Sequence, residues 1–146
     1  MDVDQSTDAL TRVPELPFPD GNLIIQAGSR LFRVYGGFLA ARSPIFQGML
    51  SLSQPADAET MEGCPVVKLP DDAEDVTVFL RAIFDSSFFE NYPVKTDLCT
   101  VVSILRLSNK YAVEYLRRRA LVHMESYFST TLVDFRDNKG SLIRDL

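Results

Sequence analysis

Apolar and polar residues follow a short alternating rhythm in the first third of the 146-residue chain and a helical rhythm thereafter. Leu23-Ile24-Ile25 and Leu31 to Tyr35 are strand-like runs on either side of Ala27-Gly28-Ser29, a connection of hairpin length with a glycine free to take positive φ. The stretch Leu31 to Phe46 joins the second strand to two short helices with almost no loop. Ser43-Pro44 marks the start of the second helix, because a serine hydroxyl accepts from orphan amides and proline at the first helical position has no amide to satisfy. Ile45, Phe46, Met49 and Leu50 then form an apolar stripe.

Ser53 to Gly63 is polar and acidic and reads as a surface loop, and Val66-Val67-Lys68-Leu69, between Pro65 and Pro70, as a short third strand. The acidic run Asp71-Asp72-Ala73-Glu74-Asp75 opens a helix: it supplies caps, and its charge favours the positive end of the helix dipole. Val76, Phe79, Leu80 and Ile83 recur on one face of that helix, which ends near Phe84. Ser86 to Thr96 is a loop unusually rich in aromatics, with Phe88, Phe89 and Tyr92 either marking a contact surface or folding back on the core.

Leu98, Val101, Val102 and Leu105 begin a further helix running to about Leu107, and Val113, Leu116, Ala120, Met124, Tyr127 and Phe128 line a last one. Ser108-Asn109-Lys110-Tyr111 is the expected tight turn between them. Residues 1–19, with Pro14, Pro17 and Pro19, read as a flexible or extended leader, and 129–146 as a tail or the start of a further helical region. Short strands followed by paired helices predict an α+β fold.

The run Leu39-Ala40-Ala41-Arg42-Ser43-Pro44-Ile45-Phe46 resembles the "L-x-x-R-S-x-x-F" element of BTB/POZ domains, and Asn109-Lys110-Tyr111 stands where that family has "D-K-Y". Phe32-Arg33-Val34, Pro55-Ala56-Asp57 and Pro65-Val66-Val67-Lys68-Leu69-Pro70 are similar in particular to elements of fungal members. The resemblance covers 20–128 and implies the BTB/POZ fold, a short three-stranded sheet with a cluster of helical hairpins, and a protein-protein interaction module without chemistry of its own. It departs at two places: Asn22-Leu23 stands where the family commonly has "D-V", and Tyr35-Gly36 where it has a histidine-lysine pair. The polar group with which certain members bind corepressor peptides is therefore lost, so that activity is not expected.

Composition narrows the functional classes. A chain of this length buries roughly 68 to 70 % of its unfolded surface, enough for one core without staples. The net charge of −5 argues against nucleic acid as a direct partner, since that affinity comes from basic side chains displacing counterions. Arg117-Arg118-Arg119, the one basic run, fans over roughly 200° of a helix and reads as a solvated flank. No stretch approaches the roughly 18 apolar residues of a membrane span. Met1 to Asp8 is polar and acidic, unlike a secretory signal, and Cys64 and Cys99 read as reduced thiols, so a cytoplasmic or nuclear protein is expected.

Chemistry finds little to stand on. His123 is the sole histidine and reads as a partly exposed helix residue. The glycines lack phosphate-loop spacing, and the two cysteines have no neighbouring ligand pair. Capping accounts for the acidic cluster, which lacks calcium-loop spacing. No enzyme activity, cofactor or metal is expected, and a small hydrolase is the remote alternative.

The resemblance implies homodimerisation through the first helices and the N-terminal segment, with Phe38, Leu39, Phe46 and Met49 as interface candidates. Two roles compete: substrate adaptor of a cullin ubiquitin ligase, or self-association module of a transcriptional or structural complex without a cullin. Adaptor members carry a hydrophobic-x-Glu element after the third main helix, and Phe88-Phe89-Glu90 has that form, which makes these three the candidate cullin contacts.

Overall fold

In the computed structural model, residues 10–52 and 56–139 are described, with the backbone alone for 14–17 and 129–139. The first three residues of the expected loop, 53–55, and the ends of the leader and tail, 1–9 and 140–146, lie outside the described residues. The hairpin forms as expected from β2 (Leu23–Ala27) and β3 (Arg30–Val34), with Gly28 at φ 57° in the turn. That left-handed conformation costs glycine nothing and a Cβ-bearing residue about 1 to 2 kcal/mol.

The sheet has five strands where three were expected, in the order β1-β3-β2-β5-β4. The predicted third strand is β5 (Cys64–Leu69), parallel to β2. Part of the supposed leader is an edge strand, β1 (Thr11–Pro17), parallel to β3 with its register broken between Arg12 and Pro17. Pro14 and Pro17 hid it, because proline cannot donate to a ladder, and an edge position is where a strand tolerates that loss. Inside the acidic loop, β4 (Thr60–Met61) pairs back on β5 through a turn with Glu62 at φ 55° and Gly63 at φ 78°. Two positive-φ residues in succession suit the right-handed twist of a tight hairpin.

Among the described residues five helices complete the α+β fold: α1 (Gly36–Arg42), α2 (Pro44–Ser51), α3 (Ala73–Phe84), α4 (Leu98–Lys110) and α5 (Glu114–Lys139). Helix α1 has no side-chain cap at Tyr35; instead Asn22 Oδ1, from the start of the hairpin, accepts from the Gly36 amide at 2.8 Å. Ser43 caps α2 through Phe46 N, and Asp72 caps α3 by accepting from Glu74 N and Asp75 N, each at 3.1 Å. The residues expected as a turn, Ser108 to Tyr111, mostly extend α4. The chain reverses one step later, where Ala112 takes φ 56° and Val113 N donates to Ser108 O. Residues 129–139, left open as tail or helix, continue α5.

Pleating divides the sheet residues between two faces. Leu23, Ile25, Ala27, Phe32 and Val34 join the main core with α1, α3, α4 and α5, whereas Ile24, Leu31 and Cys64 form a smaller cluster on the opposite face. In the main core the Tyr111 ring stacks on Phe46 at 4.7 Å and on Phe79 at 5.9 Å between centroids. No described helix is long and apolar enough to cross a membrane.

Candidate interaction surfaces

Helices α1 and α2 are too short to bury more than one side, so their large residues divide between core and solvent. Of the four expected interface residues, Leu39 and Phe46 are fully buried in the protomer's own core, and Met49 is half-buried against it. Leu39 and Phe46 therefore hold the helices down and offer no contact surface, which corrects their placement at an interface. Phe38 is 40 % exposed, with its ring against Phe84 and the Arg42 guanidinium 4.2 Å above it.

The outward apolar residues at α2 are others: Ile45 on the helix is 44 % exposed and Leu52, the extended residue that ends it, is 68 % exposed. Among the described residues nothing covers Ile45 or Leu52. The sequence pattern pooled Ile45 with Phe46 because neighbouring apolar residues on a short helix do not reveal which turns inward.

The candidate cullin contacts also separate. Phe88 is half-buried beneath the Arg81 guanidinium at 4.2 Å, and the Glu90 carboxylate is exposed. Phe89 is buried, its ring 5.1 Å from that of His123, so it belongs to the core. Contrary to expectation His123 is buried as well, because the aromatic loop folds back over α5. Its Nε2 lies 2.8 Å from the Glu90 carbonyl, and since a carbonyl only accepts, Nε2 carries the proton in that bond. Tyr92 remains half-exposed at the edge of the same imidazole.

The acidic run at the start of α3 does more than cap. Asp72 is the cap, but Asp71 accepts from Lys110 Nζ at 2.5 Å and from the Tyr111 hydroxyl, and the buried Asp75 accepts from Ser103 Oγ at 2.8 Å and from Arg106. These bonds tie α3 to α4. Burial and then the Asp71 carboxylate push the Tyr111 phenol far above its ordinary pKa, so it stays a donor at every physiological pH. Among the described residues no three His, Cys, Asp or Glu side chains are grouped to hold a metal ion, and Cys64 and Cys99 are unbridged.

One feature of the surface was not visible in the sequence. Arg117 and Arg118 pair with Glu114, as a solvated flank would, but Arg119 turns inward and donates to the Phe89 carbonyl. There it lines hollows on both sides of Tyr115, one shared with Phe38 and Arg42 and the other with Tyr92 and Val122. The only sequence signal was position, one residue before the buried Ala120 and four before the buried His123.

No model of a known protein family and no curated protein matches the sequence.

Proposed function

We propose that this chain is a protein-interaction module of the BTB/POZ type that pairs with a second copy of itself and recruits another protein as a dimer. The resemblance in Leu39 to Phe46 and Asn109 to Tyr111 supports this reading. So does the element order: a hairpin, two short helices, a strand parallel to the hairpin's first strand, and then paired helices. The observation that carries the pairing is the exposed apolar patch of Ile45 on α2 and Leu52 at its C-terminal cap, with Phe38 exposed on the preceding helix. Apolar surface of this kind is commonly covered by a symmetric partner presenting the same patch. Co-expression of two differently tagged copies tests it: each tag should retrieve the other copy, and Ile45→Asp should abolish retrieval. Retrieval unaffected by Ile45→Asp would sink this face as the interface.

For recruitment, the cullin-adaptor reading is favoured by Phe88 and Glu90, which stand at the surface on either side of the buried Phe89. A ring entering a partner's pocket supplies affinity, and a rim carboxylate sets orientation. Calorimetry with a cullin N-terminal domain should show binding that Phe88→Ala and Glu90→Ala each weaken. Failure of the unmodified protein to bind leaves self-association within a transcriptional or structural complex as the module's role. Either role places the protein in the cytoplasm or nucleus.

A further inference from the structure

The arginines are unevenly compensated. Arg12, Arg30, Arg33, Arg81, Arg106, Arg117 and Arg118 each have a carboxylate within ion-pair distance. Of the arginines whose side chains are described, only Arg42 and Arg119 have none among the described residues, although the chain carries a net charge of −5. Both line one hollow of about 420 Å³ between α1, α3 and α5, separated by Tyr115. The second hollow, about 430 Å³, shares Tyr115 and Arg119 and adds Arg118. Among the described residues no Asp or Glu lines either one.

The two guanidiniums are held ready for an acceptor. Arg42 lies over the Phe38 ring at 4.2 Å with its donors unspent on any carboxylate. Arg119 rests between the rings of Tyr115 and Phe89, at 5.6 and 5.8 Å, which restricts its rotamers and lowers the cost of ordering it on binding. One of its nitrogens donates to the Phe89 carbonyl, while its Nε is buried without any acceptor among the described residues. Tyr115 is a third donor between them. Partial burial raises its pKa while the charges of Arg42 and Arg119 pull the other way, and the hydroxyl remains protonated at neutral pH. The floor, from Ala82 and Ile83, is apolar.

We propose that the groove framed by Arg42, Tyr115 and Arg119 binds an acidic stretch of a partner protein, with carboxylates on the two guanidiniums and an apolar side chain over Ile83. Arg forks match carboxylates bidentately, and on an acidic protein a local positive groove selects for negative partners and against further copies of the same chain. The α2 patch is a different surface, and Phe38 is the one residue shared by both, so the test leaves Phe38 unchanged.

Fluorescence anisotropy with a labelled peptide of alternating glutamate and leucine provides the test. The full chain should bind it, Arg42→Gln should weaken binding roughly tenfold or more, as expected for loss of a charge-assisted bond, and raising salt from about 50 to about 200 mM should weaken it further. The same peptide with glutamine in place of glutamate should not bind. Arg42 is exposed and reaches only the half-exposed Phe38 ring and the Tyr115 hydroxyl, so its variant should keep a thermal unfolding midpoint close to that of the unmodified protein. Arg119→Lys, which keeps the charge but loses the fork, should fall between the two. Absence of binding, equal binding by Arg42→Gln, or equal binding of the glutamine peptide would overturn the proposal. So would loss of self-association in Arg42→Gln at unchanged stability, because that outcome assigns the groove to a second copy.

Discussion

Ser43 Oγ donates a 2.6 Å hydrogen bond to the backbone carbonyl of Tyr111 while accepting from Phe46 N at 3.1 Å. One buried hydroxyl thus caps the start of α2 and satisfies a carbonyl at the end of α4, 68 residues away in sequence. Helix ends leave such groups unpaired, and a buried unpaired carbonyl is expensive. The bond therefore fixes the helix pair that follows the hairpin against the helical hairpin at the other end of the chain. The same two segments meet again through the stacked rings of Phe46 and Tyr111.

Ser43→Ala removes both roles of the hydroxyl at once. Loss of an N-cap costs about 1 kcal/mol and an unpaired buried carbonyl about 1 to 3 kcal/mol, so denaturant unfolding should show a loss of about 2 to 4 kcal/mol. A loss near that of an ordinary exposed cap would mean that the Tyr111 carbonyl finds another donor.

Phe79→Ala should cost about 3 to 5 kcal/mol, because the ring is fully buried and its removal leaves the Tyr111 ring without support on one side. Equilibrium unfolding measures it directly. A near-neutral result would mean that the core closes over the gap.

The contrast between what was legible and what was not follows from the reach of each signal. Ser43-Pro44, Gly28, Asp72 and the Val76–Ile83 face were readable because capping, turns and amphipathicity act over a few residues. The reversal after α4 falls beyond the expected turn because it rests on Ala112, where a glycine would ordinarily announce it. Strand β1 was obscured by its prolines, and β4 is only two residues long. The surfaces were least legible: whether Phe46 or Ile45 faces out, whether Phe89 or Phe88 does, and whether Arg119 or Arg118 turns inward is decided by elements distant in sequence.

Ala112→Gly should stabilise the protein. A Cβ at φ 56° costs about 1 to 2 kcal/mol, and glycine's extra freedom in the unfolded chain takes back about 0.4 to 1 kcal/mol, which leaves a gain of about 0.5 to 1 kcal/mol. A lower unfolding midpoint for the variant would show that the methyl group's packing outweighs the backbone strain.

Asp97 caps α4, its carboxylate accepting from Thr100 N at 2.8 Å and from Thr100 Oγ1 at 3.0 Å. The bond from the Thr100 amide, followed by that from its hydroxyl, holds the carboxyl below the ordinary aspartate range. Its folded pKa is thus lower than its unfolded one. The stability it contributes is fully present above the unfolded value and is lost as pH falls through the folded value. Acid titration of unfolding should show a shallower loss below about pH 4 for Asp97→Asn than for the unmodified chain. Parallel curves would contradict the assignment.

The central claim is that the chain pairs through the outer face of α2, and sedimentation velocity across micromolar concentrations tests it most directly. The unmodified protein should sediment as a dimer that dissociates on dilution, and the Ile45→Asp/Leu52→Asp double variant should sediment as a folded monomer throughout. An unmodified protein that is monomeric at every concentration, or a double variant that remains dimeric, would contradict the account.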